Sequence, residues 1–232
     1  MTTNKTIPLD FLGYRNAFRL AMQKTLKESQ PRSLDEAAFP AYSHPNRIIN
    51  WIYWQRVKTV MNEILKRDNI QNVMDYGCGS GVLLPFLAVH ANKVTGVDLD
   101  LAPIEKMKRQ IEFPQNILFL DLRDQSLADL QDQSFDLITA LNVLEHIDDP
   151  SSIVDDFFRL LKPGGELIVS LPKENRIYGI ARKLAGKEFT GEYHATNYKK
   201  VENLCKEKGE LIYLLNGSVF RHVFHIFKVE KR

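Results

Sequence analysis

At 232 residues the chain is long enough for one large α/β domain with a sizeable core, or for one domain and a small extension. An apolar share of 44% and a charged share of 26% are those of an ordinary soluble globular protein. A net charge of +2 excludes the strong field that would demand nucleic acid or an anionic membrane as partner.

Two cysteines, Cys78 and Cys205, lie far apart without metal-ligand spacing, and read as free thiols of a reducing compartment. The first residues lack the apolar run of a signal peptide. No apolar run approaches the ~20 residues that span a bilayer, so a cytoplasmic protein is expected.

In chain order, residues 1 to about 39 carry Phe11, Leu12, Phe18, Leu20, Met22 and Leu26, a pattern that predicts one or two amphipathic helices broken near Pro31. Residues 39–56 hold both tryptophans, Trp51 and Trp54, with Tyr42, Tyr53, two prolines and His44. From Asn46, a candidate N-cap, a helix is expected to about Lys66. Its aromatics fit either packing onto the core or capping a substrate pocket, and the two roles are compatible.

Strand-helix alternation begins at Asn69. A short strand ending at Asp75 runs into Gly77, Gly79 and Gly81, with a helix predicted over 82–89. Glycines adopt φ angles closed to other residues and let the backbone approach a ligand, while a helix start supplies free N–H groups. Taken alone, such a triplet fits a ligand-free turn as well as a nucleotide site. A second strand, 93–98, ends in Asp98, which lies 17 positions after Gly81. That is close to the ~20 expected of a carboxylate that accepts two ribose hydroxyls. A helix follows over 101–111, with Pro103 in its first turn, and a third strand, 116–121, ends in Asp121.

The fourth strand, 135–141, runs into Asn142, Glu145 and His146. Asp149 and Pro150 are expected as N-cap and first residue of a helix that stops at Leu161-Lys162-Pro163-Gly164-Gly165. A fifth strand covers 166–172. A basic-leaning excursion over 173–195 carries Arg176, Arg182, Lys183, Lys187 and His194. Thr196 is the expected cap of a helix ended by Gly209. Strands over 210–215 and 220–229 are separated too briefly for a parallel crossover and must form an antiparallel hairpin.

Such alternation predicts a parallel sheet with helices on both faces and a ligand at the carboxyl ends of its strands. The glycine turn, Asp98, Asp121 and the segment from Ala140 to Asn142 all fall on that one rim. Together they are far more specific than the glycines.

These motifs resemble class I S-adenosylmethionine-dependent methyltransferases: Asp75-Tyr76-Gly77-Cys78-Gly79-Ser80-Gly81, Val97-Asp98, Phe119-Leu120-Asp121-Leu122, Phe135-Asp136-Leu137-Ile138, Asn142-Val143-Leu144-Glu145-His146 and the Leu-Lys-Pro-Gly-Gly stop. The likeness covers about residues 70 to 230 and is greatest to the small-molecule branch that includes ubiquinone-pathway enzymes. It implies a Rossmann-like, seven-stranded, mostly parallel sheet with an antiparallel last strand. Residues 1–66 would form a helical extension and aromatic cap, and 67–232 the cofactor-binding domain. By the same resemblance, Gly77, Gly79 and Gly81 lie against the methionine moiety, which Asp75 orients. Asp98 holds the ribose hydroxyls and Leu99 packs on adenine. Asp121 receives the adenine amino group, the Leu122 N–H sits near a ring nitrogen, and Asn142 borders the sulfonium.

The expected partner is a small-molecule acceptor of apolar or amphiphilic character, methylated on O, N or activated C, with S-adenosylhomocysteine as product. A base would help at a hydroxyl or carbon, and His146, His194 and His44 are the candidates, although a lone histidine is more often structural. The paired prolines that mark amino-methylating nucleic-acid enzymes after the fourth strand are missing, so no nucleic acid is expected. No metal site is expected either. Protein methylation remains an alternative, as does an NAD-dependent oxidoreductase, which shares the glycine turn and the ribose acid.

Overall fold

The computed structural model describes residues 7, 10–30, 34, 39–173, 195–215 and 219–232. Seven strands form one sheet: β1 (Ile70–Tyr76), β2 (Ala91–Asp98), β3 (Ile117–Asp121), β4 (Phe135–Leu141), β5 (Leu161–Pro172), β6 (Gly209–Tyr213) and β7 (Phe224–Lys231). Their order is β3-β2-β1-β4-β5-β7-β6. β1 pairs in parallel with both β2 and β4, and the other early pairs are also parallel. β7 runs antiparallel to β5 and to β6, as the short hairpin requires. The chain therefore turns one way from β1 into β2 and reaches β4 on the opposite side, which opens a crevice beyond the end of β1.

Alternation along the central strands sorts side chains onto two faces. Val73, Leu137, Ile168 and Ile226 meet one core, and their neighbours Met74, Ile138, Val169 and Phe227 meet the other. Strands buried on both sides must be apolar throughout, which is why they read as near-continuous runs of Val, Ile and Leu. The first core is covered by α1 (Phe11–Glu28), α2 (Phe39–Ser43), α3 (Arg47–Ile64), α4 (Leu84–His90) and α5 (Ala102–Lys108). The second is covered by α6 (Ser151–Leu160) and α7 (Tyr198–Lys206).

Asp10 caps α1 by accepting the Gly13 amide at 2.8 Å, and Asn46 caps α3 by accepting the amides of Ile48 and Ile49. Trp54 is fully buried, its Nε1 donating to the Tyr42 carbonyl at 3.0 Å. Trp51 is exposed and packs edge-on against Phe220 at 4.7 Å. At the far end of α3, Arg67 bonds Glu166 at the start of β5, and Lys228 bridges Glu166 (2.7 Å) and Glu63 (3.1 Å). The helix thus lies along the sheet with its N-terminal end toward the strand carboxyl edge.

Several expectations are corrected. Leu12 and Leu20 face solvent, because the inward stripe of α1 is Tyr14, Phe18, Ala21, Met22 and Thr25. α4 starts at Leu84, since the loop after Gly81 closes through turns before the helix can begin. Pro150 is the N-cap of α6, and Asp149 instead accepts the Ser151 hydroxyl at 2.6 Å. Asn197 caps α7, while the Thr196 hydroxyl donates to the Asp148 carbonyl. β5 extends back to Leu161, which pairs with Phe135 ahead of a register shift.

Gly209 opens β6 where a Cβ would lie 2.2 Å from the Glu230 carbonyl oxygen and 2.8 Å from Val229 Cγ1. Backbone cannot yield as a flexible side chain would. Gly209→Ala is expected to destabilise the fold by about 1–3 kcal/mol, a fall in Tm of roughly 2–12 °C by thermal melting for a domain of this size.

Candidate active site at the strand carboxyl ends

The chain leaves β1 through three left-handed glycines, with φ of +70° at Gly77, +51° at Gly79 and +73° at Gly81. The Gly77 and Cys78 amides both donate to the Val97 carbonyl, at 2.8 and 3.1 Å, which folds the turn across the end of β2. The Gly79 amide donates to Asp98 Oδ2 at 2.7 Å. Packing is as restrictive as conformation. A Cβ on Gly77 would lie 2.4 Å from Val143 Cγ2, and one on Gly81 would lie 2.8 Å from Ile104 Cδ1 and from Phe113 Cε1.

Asp75 is the residue of β1 that stands opposite Thr139 of β4, and its Oδ1 accepts the Thr139 hydroxyl at 2.7 Å. Burial at 4% exposure pushes its carboxyl up to about 7; the Thr139 bond opposes the rise and the Asp98 charge adds to it. Asp98 stands opposite Asp121 across β2 and β3. Burial raises its pKa as well, and the amides of Gly79 and Asp100 hold the rise down. Asp121 is held down to about 2 by Arg123, whose Nε lies 3.0 and 3.2 Å from its two oxygens and whose Nη2 lies at 2.5 Å. Leu99 stands 65% exposed beside this row of acids.

The Leu122 amide donates to the Asp98 carbonyl at 2.9 Å. The pairing arises because the chain continues the β2–β3 ladder for one residue beyond Asp121.

Asn142, directly after β4, adopts φ +56°, donates its amide to the Ser170 carbonyl at 2.8 Å and accepts the Ser170 hydroxyl at 3.0 Å. Val143 then covers Gly77, and a 3-10 turn, Leu144–His146, buries Leu144 and Glu145 while exposing His146. The Glu145 carbonyl accepts the amides of Ala195 and Thr196. His44 sits buried at the corner between α2 and α3, where its Nδ1 accepts the Asn46 amide at 3.0 Å. His194, with Arg176, Arg182, Lys183 and Lys187, lies outside the described residues. Of the histidine candidates, His146 is the one placed directly after a strand of the rim.

Two participants escaped the sequence reading. Thr139 is a lone hydroxyl in an apolar strand, and its role appears only when β4 is registered against Asp75. Tyr14, buried in α1, donates its hydroxyl to the Val82 carbonyl at 2.7 Å and so braces the N-terminal helix against the exit of the glycine turn. Nothing in the local sequence separates it from an ordinary core aromatic. Farther along the same edge, a cleft of about 470 Å³ opens beside Lys173, Tyr198, Glu202, Tyr213 and His225. Glu202 there lies 2.6 Å from His225 Nε2 and accepts the Tyr213 hydroxyl at 2.6 Å.

A family described as a methyltransferase domain matches residues 23–225. Ubiquinone biosynthesis O-methyltransferase of Pseudomonas fluorescens (strain Pf0-1) is 36% identical over 118 residues, 50% of this chain and 51% of that protein. The chain spans about half the length of the curated relatives it matches. The N-methyltransferase NodS from Bradyrhizobium japonicum WM9, solved with S-adenosyl-L-homocysteine, aligns with a TM-score of 0.59 at 16% identity, over 93% of this chain and 98% of that one. Magnesium protoporphyrin IX methyltransferase from Synechocystis PCC 6803 aligns with a TM-score of 0.58 at 17% identity, over 94% and 98%. At such identities the two structures speak for the fold alone.

A carboxyl raised from 3.8 to about 7 keeps its proton in the folded chain across a range where the unfolded chain has lost it. The contribution of Asp75 to stability should therefore fall as pH rises from about 4 to 7 and level off above, by a few kcal/mol at most; Asp98 adds to the slope, and His90 and His225, whose pKa values burial lowers, oppose it. In urea titrations between pH 5 and 8, Asp75→Asn is expected to flatten this slope and to exceed the parent chain in stability at pH 8. An unchanged slope would count against the buried carboxyl.

Proposed function

The chain belongs to the methyltransferase-domain family, and on that premise we propose that it moves a methyl group from S-adenosylmethionine to a small-molecule acceptor of apolar or amphiphilic character. The observation that carries this reading is the rim itself: a left-handed glycine turn bonded to Asp98, with Asp75, Asp121 and Asn142 at the ends of adjoining strands. The relatives named as O-methyltransferases support oxygen as the accepting atom. In this reading residues 1–66 act as an extension and cap, and residues 67–232 bind the cofactor. Both cysteines are free and buried, which supports a reducing, cytoplasmic setting.

The donor set fits the cofactor. Asp98 has lone pairs beyond those used by two amides, and these suit ribose hydroxyls. Leu99 offers exposed apolar surface for a purine face. Asp121 shares its oxygens with Arg123 and accepts an exocyclic amino group beside it. Asp75, dry and bonded to Thr139, orients the methionine end. The cofactor supplies an electrophilic methyl on a sulfonium. The chain aligns the acceptor and excludes water, and orientation of this kind contributes up to ~7–11 kcal/mol. His146, after β4, takes the proton from the acceptor hydroxyl. His44 positions the α2–α3 corner.

Calorimetry of the purified protein with S-adenosylmethionine, S-adenosylhomocysteine and NAD tests the reading. Micromolar affinity is expected for the first two, weakened at least about tenfold in Asp98→Ala, the equivalent of ~1.4 kcal/mol. Binding of NAD alone would overturn the proposal. With an acceptor in hand, His146→Gln should lower kcat, with less effect on KM.

A further inference from the structure

α1 and α3 lie side by side in opposite directions. Phe11 meets Trp54 at 6.2 Å and Lys58 Nζ at 5.3 Å, while one turn on, Arg15 Nη2 donates to Asn50 Oδ1 at 2.8 Å. One further turn places Arg19 toward the start of α3, where Arg47 stands exposed. The charges of Arg19 and Arg47 add to burial in lowering the pKa of Arg15. Among the described residues no carboxylate lies within 4.0 Å of any of them. The Nε atoms of Arg15 and Arg19 are buried and make no hydrogen bond.

That arrangement is costly. Surface arginines turn their Nε to water or to a carboxylate; here the Nε atoms of Arg15 and Arg19 are sealed, so a ligand meets the outer guanidinium nitrogens. Three forked guanidiniums suit the several oxygens of a phosphate or carboxylate, which they engage bidentately. Beside the charges stand exposed apolar side chains: Ile48 at 68%, and Trp51 at 42%, one turn past Arg47.

The place is as informative as the chemistry. Tyr53 packs on Phe224 at 5.7 Å, and Phe224 pairs with Pro172 at the carboxyl end of β5. Tyr14, next to Arg15, touches the carbonyl that follows the glycine turn. The end of α3 that carries Arg47 is thus on the side of the strand carboxyl edge, and α1, which carries Arg15 and Arg19, is braced through Tyr14 against the exit of the glycine turn.

We propose that Arg15, Arg19 and Arg47 bind the oxyanionic head of an amphiphilic methyl acceptor, whose apolar part lies along Ile48 and Trp51. This rests on the methyl-transfer reading for the word acceptor; the oxyanion site itself does not depend on it.

Dodecyl phosphate below its micellar concentration, inorganic phosphate and S-adenosylhomocysteine would be titrated into the full chain and into Arg19→Gln and Arg47→Gln. The expected result is binding of dodecyl phosphate at least about tenfold tighter than inorganic phosphate, weakened about tenfold or more in each variant. S-adenosylhomocysteine affinity should change less than about twofold, which also certifies the fold. Arg47 is exposed, so its variant keeps the test informative if Arg19→Gln is unstable. Equal dodecyl phosphate affinity in the parent chain and Arg47→Gln would overturn the proposal. So would co-sedimentation with phosphatidylglycerol vesicles, but not phosphatidylcholine vesicles, without binding of monomeric dodecyl phosphate; the arginines would then serve a membrane surface. Failure of S-adenosylhomocysteine to bind the parent chain would sink the methyltransferase reading and leave the oxyanion site standing.

Discussion

Two amides sharing one acceptor set the geometry of the active edge. When Gly77 and Cys78 both donate to the Val97 carbonyl, the chain leaving β1 must bend over β2 and cannot extend beyond it. That bend brings the Gly79 amide onto Asp98 and leaves Asp75 beneath the turn, sealed from water. The order of strands does the rest. With β2 on one side of β1 and β4 on the other, Asp98 and Asn142 flank the turn without any long excursion of the chain.

This construction concentrates carboxyl groups where hydration is poor. Asp75 and Asp98 are both held above their ordinary range by burial, and Asp98 adds to the rise at Asp75. Natural folds tolerate such groups where function needs them and make up the stability elsewhere. Here the opposite end of the sheet is tied by Glu63, Arg67, Glu166 and Lys228, which join α3 to β5 and β7 through charges that satisfy one another. The strained chemistry sits at one edge of the sheet and the compensated chemistry at the other.

Much of this was legible in the sequence because it is written in residue types with few other uses. Glycines at alternate positions after a strand, and acids closing successive apolar runs, announce the rim before any coordinates. The antiparallel hairpin follows from the shortness of its turn. Contacts set by register were hidden. Thr139 finds Asp75 across two strands far apart in sequence, and Tyr14 reaches the glycine turn from α1. Leu12 and Leu20 look like core residues until the rotation of α1 is known, and Thr196 looks as good a cap as Asn197 until a hydroxyl elsewhere claims it. The bond from the Leu122 amide to the Asp98 carbonyl is one extra rung of the ladder, which no local pattern encodes. Nor did the arginines of α1 stand out, since a charge in an amphipathic helix ordinarily marks its wet side.

The contact between Gly77 and Val143 carries a consequence for how such a chain can change over generations. The turn position has no room for even a methyl group, and the obstructing atoms belong to a residue supplied by a different strand end, more than sixty positions later. A side chain at 77 would meet the Cβ of Val143 as well as its methyls, so only a glycine at 143 would clear the space, and φ +70° would still disfavour it. The two positions are therefore an ordered pair in descent. Position 77 is frozen for as long as position 143 carries any side chain at all.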